Sequence, residues 1–179
     1  MVLGAGQFCT NPGLVLGIRS PEFSAFLHSL TAKMAEQPPQ TLLNAGGLEG
    51  YGKGIAALAA HPGITHLAGA AQEGKQARPQ LFKADVSLLL EGDERLQEEV
   101  FGPTTIVVEV ADQAELLEAV KGLHGQLTAT LITEPGDLAG SEELFALLEQ
   151  KVGRVLFNGY PTGVELSLIH ISEPTRRRG

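Results

Sequence analysis

At 179 residues, 43% of them hydrophobic and 19% charged, the chain can bury the core of one ordinary domain and is too apolar for disorder. A net charge of -8, with 5% aromatics and no tryptophan, argues against nucleic acid or an anionic membrane surface as partner. No apolar run approaches the roughly 18–20 residues of a membrane span, and a single cysteine cannot close an internal disulfide, so a cytoplasmic location is expected.

The run LVLGI at residues 14–18 is short and apolar, as a buried strand is. Ser20 and Pro21 read as the cap and first residue of a helix. Its core face carries Phe23, Phe26, Leu27, Leu30 and Met34, and Pro38 and Pro39 stop it. A second helix is predicted over 48–60, ended by HPG at 61–63. ITHLAGA (64–70) reads as a strand, and RPQLFKADVSLLLEGD (78–93) as one or two more. TTIVVEVA (104–111) is a β-branched strand. Asp112 and Glu115 form a capping box for a helix that buries Leu116, Leu117, Val120 and Leu123. LTATLIT (127–133) is a further strand, SEELFALLEQKV (141–152) an amphipathic helix, and GRVLFNGY (153–160) a strand running into a loop. Strands alternating with helices predict an α/β fold, with a mostly parallel sheet covered by helices on both faces.

Residues 166–179, LSLIHISEPTRRRG, break this pattern. LSLIHISEPTR resembles an in-frame translation of a sequencing-library adapter, so 166–179 is expected to be a non-native tail.

Cys9 lies in the glycine-rich stretch GAGQFCTNPG, residues 4–13. Glycines there let backbone approach a ligand closely, and backbone N–H groups suit an oxyanion. A nucleophilic thiol also needs a base or a positive field, because few thiols are ionised near neutral pH. His28, His61, His66 and His124 are the candidates for a hydrolytic pair, and their spacing singles out none. A free-standing thiol hydrolase or redox module, or a non-catalytic domain with an inert buried cysteine, stays open on these residues alone. No metal-ligand spacing and no phosphate-loop motif occurs.

Two motifs together point further. GQFCTNPG (6–13) resembles the nucleophile segment of the aldehyde dehydrogenase superfamily, and EEVFGP (98–103) resembles its Glu-x-Phe-Gly-Pro cofactor motif. They stand about ninety residues apart, close to the family's separation. GRVLFNGYPTGVE (153–165) resembles the branch of α-ketoglutarate semialdehyde (2,5-dioxovalerate) dehydrogenases and related NADP-dependent enzymes. The resemblance implies an incomplete aldehyde dehydrogenase-like catalytic domain over 1–165. It implies that Cys9 attacks an aldehyde and passes through a thiohemiacetal and a thioester, with its own backbone N–H as half of an oxyanion hole. It implies that Glu99 hydrogen-bonds the nicotinamide ribose of NAD or NADP, and that Phe101 packs near the ring. Asn158 and Tyr160 would border the substrate pocket. The family's cofactor-binding domain, general base and second oxyanion donor have no match here, so the frame is expected to begin inside a longer gene whose product is a homo-oligomer. The isolated chain is accordingly expected to be inactive. Hydrolytic and CoA-acylating chemistry are both open, as is the choice of cofactor. Arg19, Lys53 and Arg78 are candidate partners, by charge alone, for a substrate carboxylate.

Overall fold

A computed structural model describes residues 1–70, 74–134, 136–137 and 140–161. The boundary expected at residue 165 and the tail from Leu166 lie outside the described residues.

Six strands form in chain order: β1 (Leu14–Ile18), β2 (Ile64–Ala68), β3 (Gln80–Ala84), β4 (Thr104–Val110), β5 (Gln126–Leu131) and β6 (Val152–Phe157). Four make one sheet in the order β1-β4-β3-β2. Its β1/β4 and β3/β4 pairs are parallel, and β2/β3 is antiparallel. β5 and β6 pair in parallel as a separate two-stranded sheet. Parallel pairing dominates, as expected, but the strands divide between two sheets.

The helices are α1 (Pro21–Ala35), α2 (Ala45–Ala59), α3 (Val86–Leu90), α4 (Glu94–Gln97), α5 (Gln113–Gly122) and α6 (Glu142–Lys151). Successive side chains of a strand point to opposite faces, and the sheet uses both. Leu81, Val107 and Val15 face α1, where Met34, Leu27, Leu30 and Phe23 meet them. Phe82, Ile106, Val108, Leu14 and Leu16 face the other way, onto Tyr51, Ile55 and Leu58 of α2, Leu89 of α3 and Ala119 of α5. This double burial is why TTIVVEV shows no polar alternation: Val107, Val108 and Val110 are fully buried, each worth about 1.5–3 kcal/mol relative to an exposed side chain. A third cluster, Val120, Leu144 and Leu148, packs α5 and α6 against β5 and β6 and also touches Leu16. Leu16 and α5 thus join the two sheets.

The caps follow the sequence. Ser20 Oγ accepts from the Phe23 N–H at 3.0 Å. Asp112 Oδ1 accepts from the Glu115 N–H at 2.9 Å, and the Glu115 carboxylate accepts from the Ala111 N–H. Such caps satisfy donors that a helix start leaves without partners.

Three expectations are corrected. α2 begins at Ala45 rather than 48, because Asn44 Oδ1 accepts from the Gly47 N–H at 2.8 Å and caps it there. The second half of residues 78–93 is not a strand: Asp85 Oδ1 accepts from the Ser87 N–H at 2.9 Å and starts α3. Phe26 is 46% exposed and stacks on the outer side of Phe23, ring centroids 5.9 Å apart, instead of entering the core. Among the described residues no helix is long and apolar enough to cross a membrane.

Candidate active site

The cysteine loop is shaped by an unusual backbone. Gly4, Ala5 and Gly6 take φ of 55, 58 and 65, a left-handed turn in which glycine is favoured. The chain turns again where the Asn11 N–H donates to Phe8 O at 2.9 Å, leaving Cys9 exposed at the tip. Among the described residues nothing accepts from the Cys9 backbone N–H and no side chain hydrogen-bonds its Sγ.

The loop seats directly on the EVFGP turn. A Cβ on Gly6 would stand 2.3 Å from Gly102 O, so only glycine permits the contact. Asn11 Nδ2 donates to Gly102 O at 3.2 Å, and Thr105 Oγ1 donates to Pro12 O at 2.9 Å. The Ile106 N–H donates to Gly13 O at 2.9 Å, which carries the pairing into β1 and β4. Two segments some ninety residues apart in sequence therefore form one surface.

That surface opens into a cleft of about 410 Å³ lined by Cys9, Glu99, Phe101, His124 and Leu127, among others. Glu99 is exposed and, among the described residues, makes no ion pair or hydrogen bond, so its carboxylate is free to accept. Phe101 is 43% exposed, a wall of the cleft and not a core aromatic. The facing wall is tied to this one by Gln97. Its Oε1 accepts from the His124 N–H at 2.6 Å and its Nε2 donates to Gly122 O at 3.2 Å. Lys151 Nζ donates to Lys121 O at 2.8 Å and to Leu123 O at 2.6 Å, placing a cation at the carbonyl end of α5. Gln97 and Asn11 escape a sequence reading, because an amide that joins two loops follows no periodicity.

Asn158 and Tyr160 do not line the cleft. Asn158 sits at φ 48 and clamps the loop after β5: its Oδ1 accepts from the Thr133 N–H at 2.9 Å and its Nδ2 donates to Thr133 O at 3.0 Å. Tyr160 is 89% exposed beside it. The neighbouring Pro161 O accepts from Thr10 Oγ1 at 3.1 Å, so this segment touches the cysteine loop. Of the four histidines considered, His124 alone lines the cleft. His61 is buried, with Nε2 3.1 Å from Asp93 Oδ2, and His66 bonds Gln80 at 2.7 Å. Arg19 pairs with Glu109 and Lys53 with Glu49, and neither these nor Arg78 lines the cleft.

No protein-family model matches the chain. It is 51% identical over 167 residues to an alpha-ketoglutaric semialdehyde dehydrogenase of Acinetobacter baylyi, covering 92% of this chain and 32% of that protein. It is 38% identical to alpha-ketoglutaric semialdehyde dehydrogenase 2 of Azospirillum brasilense, covering 95% of this chain and 33% of that protein. The chain thus spans about a third of the length of the curated relatives it matches. Among solved structures, the NAD+ complex of an aldehyde dehydrogenase from Bacillus cereus superposes with a TM-score of 0.70 at 21% identity, covering 90% of this chain and 33% of that one.

Proposed function

We propose that this chain, related in sequence to alpha-ketoglutaric semialdehyde dehydrogenases and carrying a third of the aldehyde dehydrogenase fold, is the cysteine-bearing part of an NAD(P)-dependent aldehyde dehydrogenase. The observation that carries this reading is the shared cleft: Cys9, Glu99 and Phe101 line one cavity. The substrate is α-ketoglutarate semialdehyde or a similar short aldehyde, by the names of the two relatives.

Cys9 Sγ, as thiolate, attacks the aldehyde carbon. A C–S bond forms, the carbonyl π pair moves to oxygen, and the free N–H of Cys9 donates to that oxyanion in the thiohemiacetal. NAD(P)+, which Glu99 and Phe101 would help to hold, would supply the two-electron hydride acceptor that turns the thiohemiacetal carbon into a thioester. Water then adds to the thioester, breaking the C–S bond, releasing the carboxylate product and two protons and returning the Cys9 thiolate. Glu99 suits the nicotinamide ribose because an ionised carboxylate accepts from two hydroxyls at once. Phe101 offers an exposed aromatic face at the same cleft.

The remaining two thirds of a full-length protein would supply the base, the second oxyanion donor and most of the cofactor site. The 179-residue chain alone is then expected to oxidise no aldehyde. Residues 1–165 form the native segment in this reading, the whole protein is cytoplasmic and homo-oligomeric, and Asn158 shapes a pocket border through the loop it clamps. The test is Cys9→Ser in the full-length protein, followed by nicotinamide reduction with α-ketoglutarate semialdehyde. Loss of rate on the order of 10³-fold or more is expected; unchanged oxidation would exclude Cys9 as nucleophile.

A further inference from the structure

Tyr51 of α2 is 1% exposed and lies under the place where the two motifs meet. Its hydroxyl donates to Arg78 O at 2.6 Å and stands 3.4 Å from Pro103 O, and Thr104 Oγ1 donates to it at 3.1 Å. Its ring fills the space beside Gly102, where a Cβ would come within 2.4 Å of the ring carbon Cδ2. Gly102, at φ 153, is in turn the residue that takes the Asn11 amide and the backbone of Gly6. Burial pushes the Tyr51 hydroxyl up to about 12, against a smaller opposing effect of the Thr104 hydrogen bond, so it stays a proton donor at neutral pH.

We propose that Tyr51 is a positioning residue for the cleft: its ring and hydroxyl set the Gly102–Pro103 turn, and through that turn the cysteine loop, so that Cys9, Glu99 and Phe101 are held as one unit. Tyr51 lines no part of the cleft and acts through the residues it touches there, Gly102, Pro103 and Thr104. The catalytic meaning of this rests on the dehydrogenase reading, whereas the coupling of the two loops does not.

The test is Tyr51→Phe in the 179-residue chain, which keeps the ring and deletes the hydroxyl. Two readouts separate positioning from bulk stability. Amide exchange should speed by about tenfold in residues 98–104 and also in 5–13, while β5 and β6 keep their protection. Alkylation of Cys9, the only thiol in the chain, should change by at least about threefold. A uniform rise in exchange, a rise confined to 98–104, or an unchanged alkylation rate would each overturn the proposal. Should Tyr51→Phe fail to fold, Thr104→Val removes the other hydroxyl of the pair and is judged by the same outcomes. In the full-length protein Tyr51→Phe should lower kcat by about tenfold with little change in aldehyde KM. If the unsubstituted full-length protein oxidises no aldehyde, the dehydrogenase reading falls, and the exchange pattern still decides the role of Tyr51.

Discussion

Gly6 is the residue on which the site geometry depends most directly. It combines φ 65 with a Cβ position 2.3 Å from Gly102 O, so alanine there is strained in its backbone and also forces the two loops apart. Gly6→Ala should cost at least about 2 kcal/mol, read as a lowered urea midpoint. Gly13 lies in the same loop, but a Cβ there meets nothing within 4 Å; Gly13→Ala should stay within about 0.5 kcal/mol. Equal effects would refute the account of the loop contact. At this scale the sequence was readable where chemistry marks a residue. Cys9 and Glu99, singled out by the two motifs, both line the cleft; their roles there are the proposal made above. Asn158 was ambiguous for a physical reason: a short amide side chain serves a left-handed turn as readily as a pocket, and here it clamps Thr133.

At the scale of elements, local signals with their own chemistry are legible, and short apolar runs only in part. β1 and the start of α1 follow directly from an apolar run and a Ser-Pro cap. VSLLL, five residues long, suits either a strand or a helix by hydrophobicity, and only the Asp85 cap tells them apart. The division into two sheets has no sequence signal, because strand partners are chosen by distant segments. Across β1, β4 and β3 one cross-strand device adds a pH dependence. Glu109 on β4 accepts from Arg19 Nε at 2.9 Å and has Lys83 Nζ at 3.4 Å. The Arg19 bond holds its carboxyl below the ordinary glutamate value, burial opposes this, and Lys83 assists. A depressed folded pKa stabilises above the unfolded value of 4.5 and is lost as pH falls through the folded one. Glu109→Gln should therefore flatten the acid limb of a stability–pH curve below about pH 4.5. An unchanged acid limb would show that the three charges are too solvated to matter.

Over the whole molecule, burial is uneven. The four-stranded sheet is covered on both faces, while Leu3 and Leu43 beside the cysteine loop are 79% and 86% exposed and Ile132 after β5 is 75% exposed. Apolar surface of this kind favours association. The 179-residue chain should self-associate, with a sedimentation coefficient that rises with concentration, and Leu43→Lys together with Ile132→Lys should reduce that rise. A monomer at all concentrations would argue against it. The contact between the Asn11 amide and Gly102 O also has a history in time. Its partners are 91 residues apart, and ribosomes add about 5–20 residues per second. During synthesis the thiol therefore waits roughly 5–18 seconds before the backbone that shapes its loop exists. In that interval the contacts with Gly102 and Thr105 cannot shield Cys9 from oxidation or cross-linking.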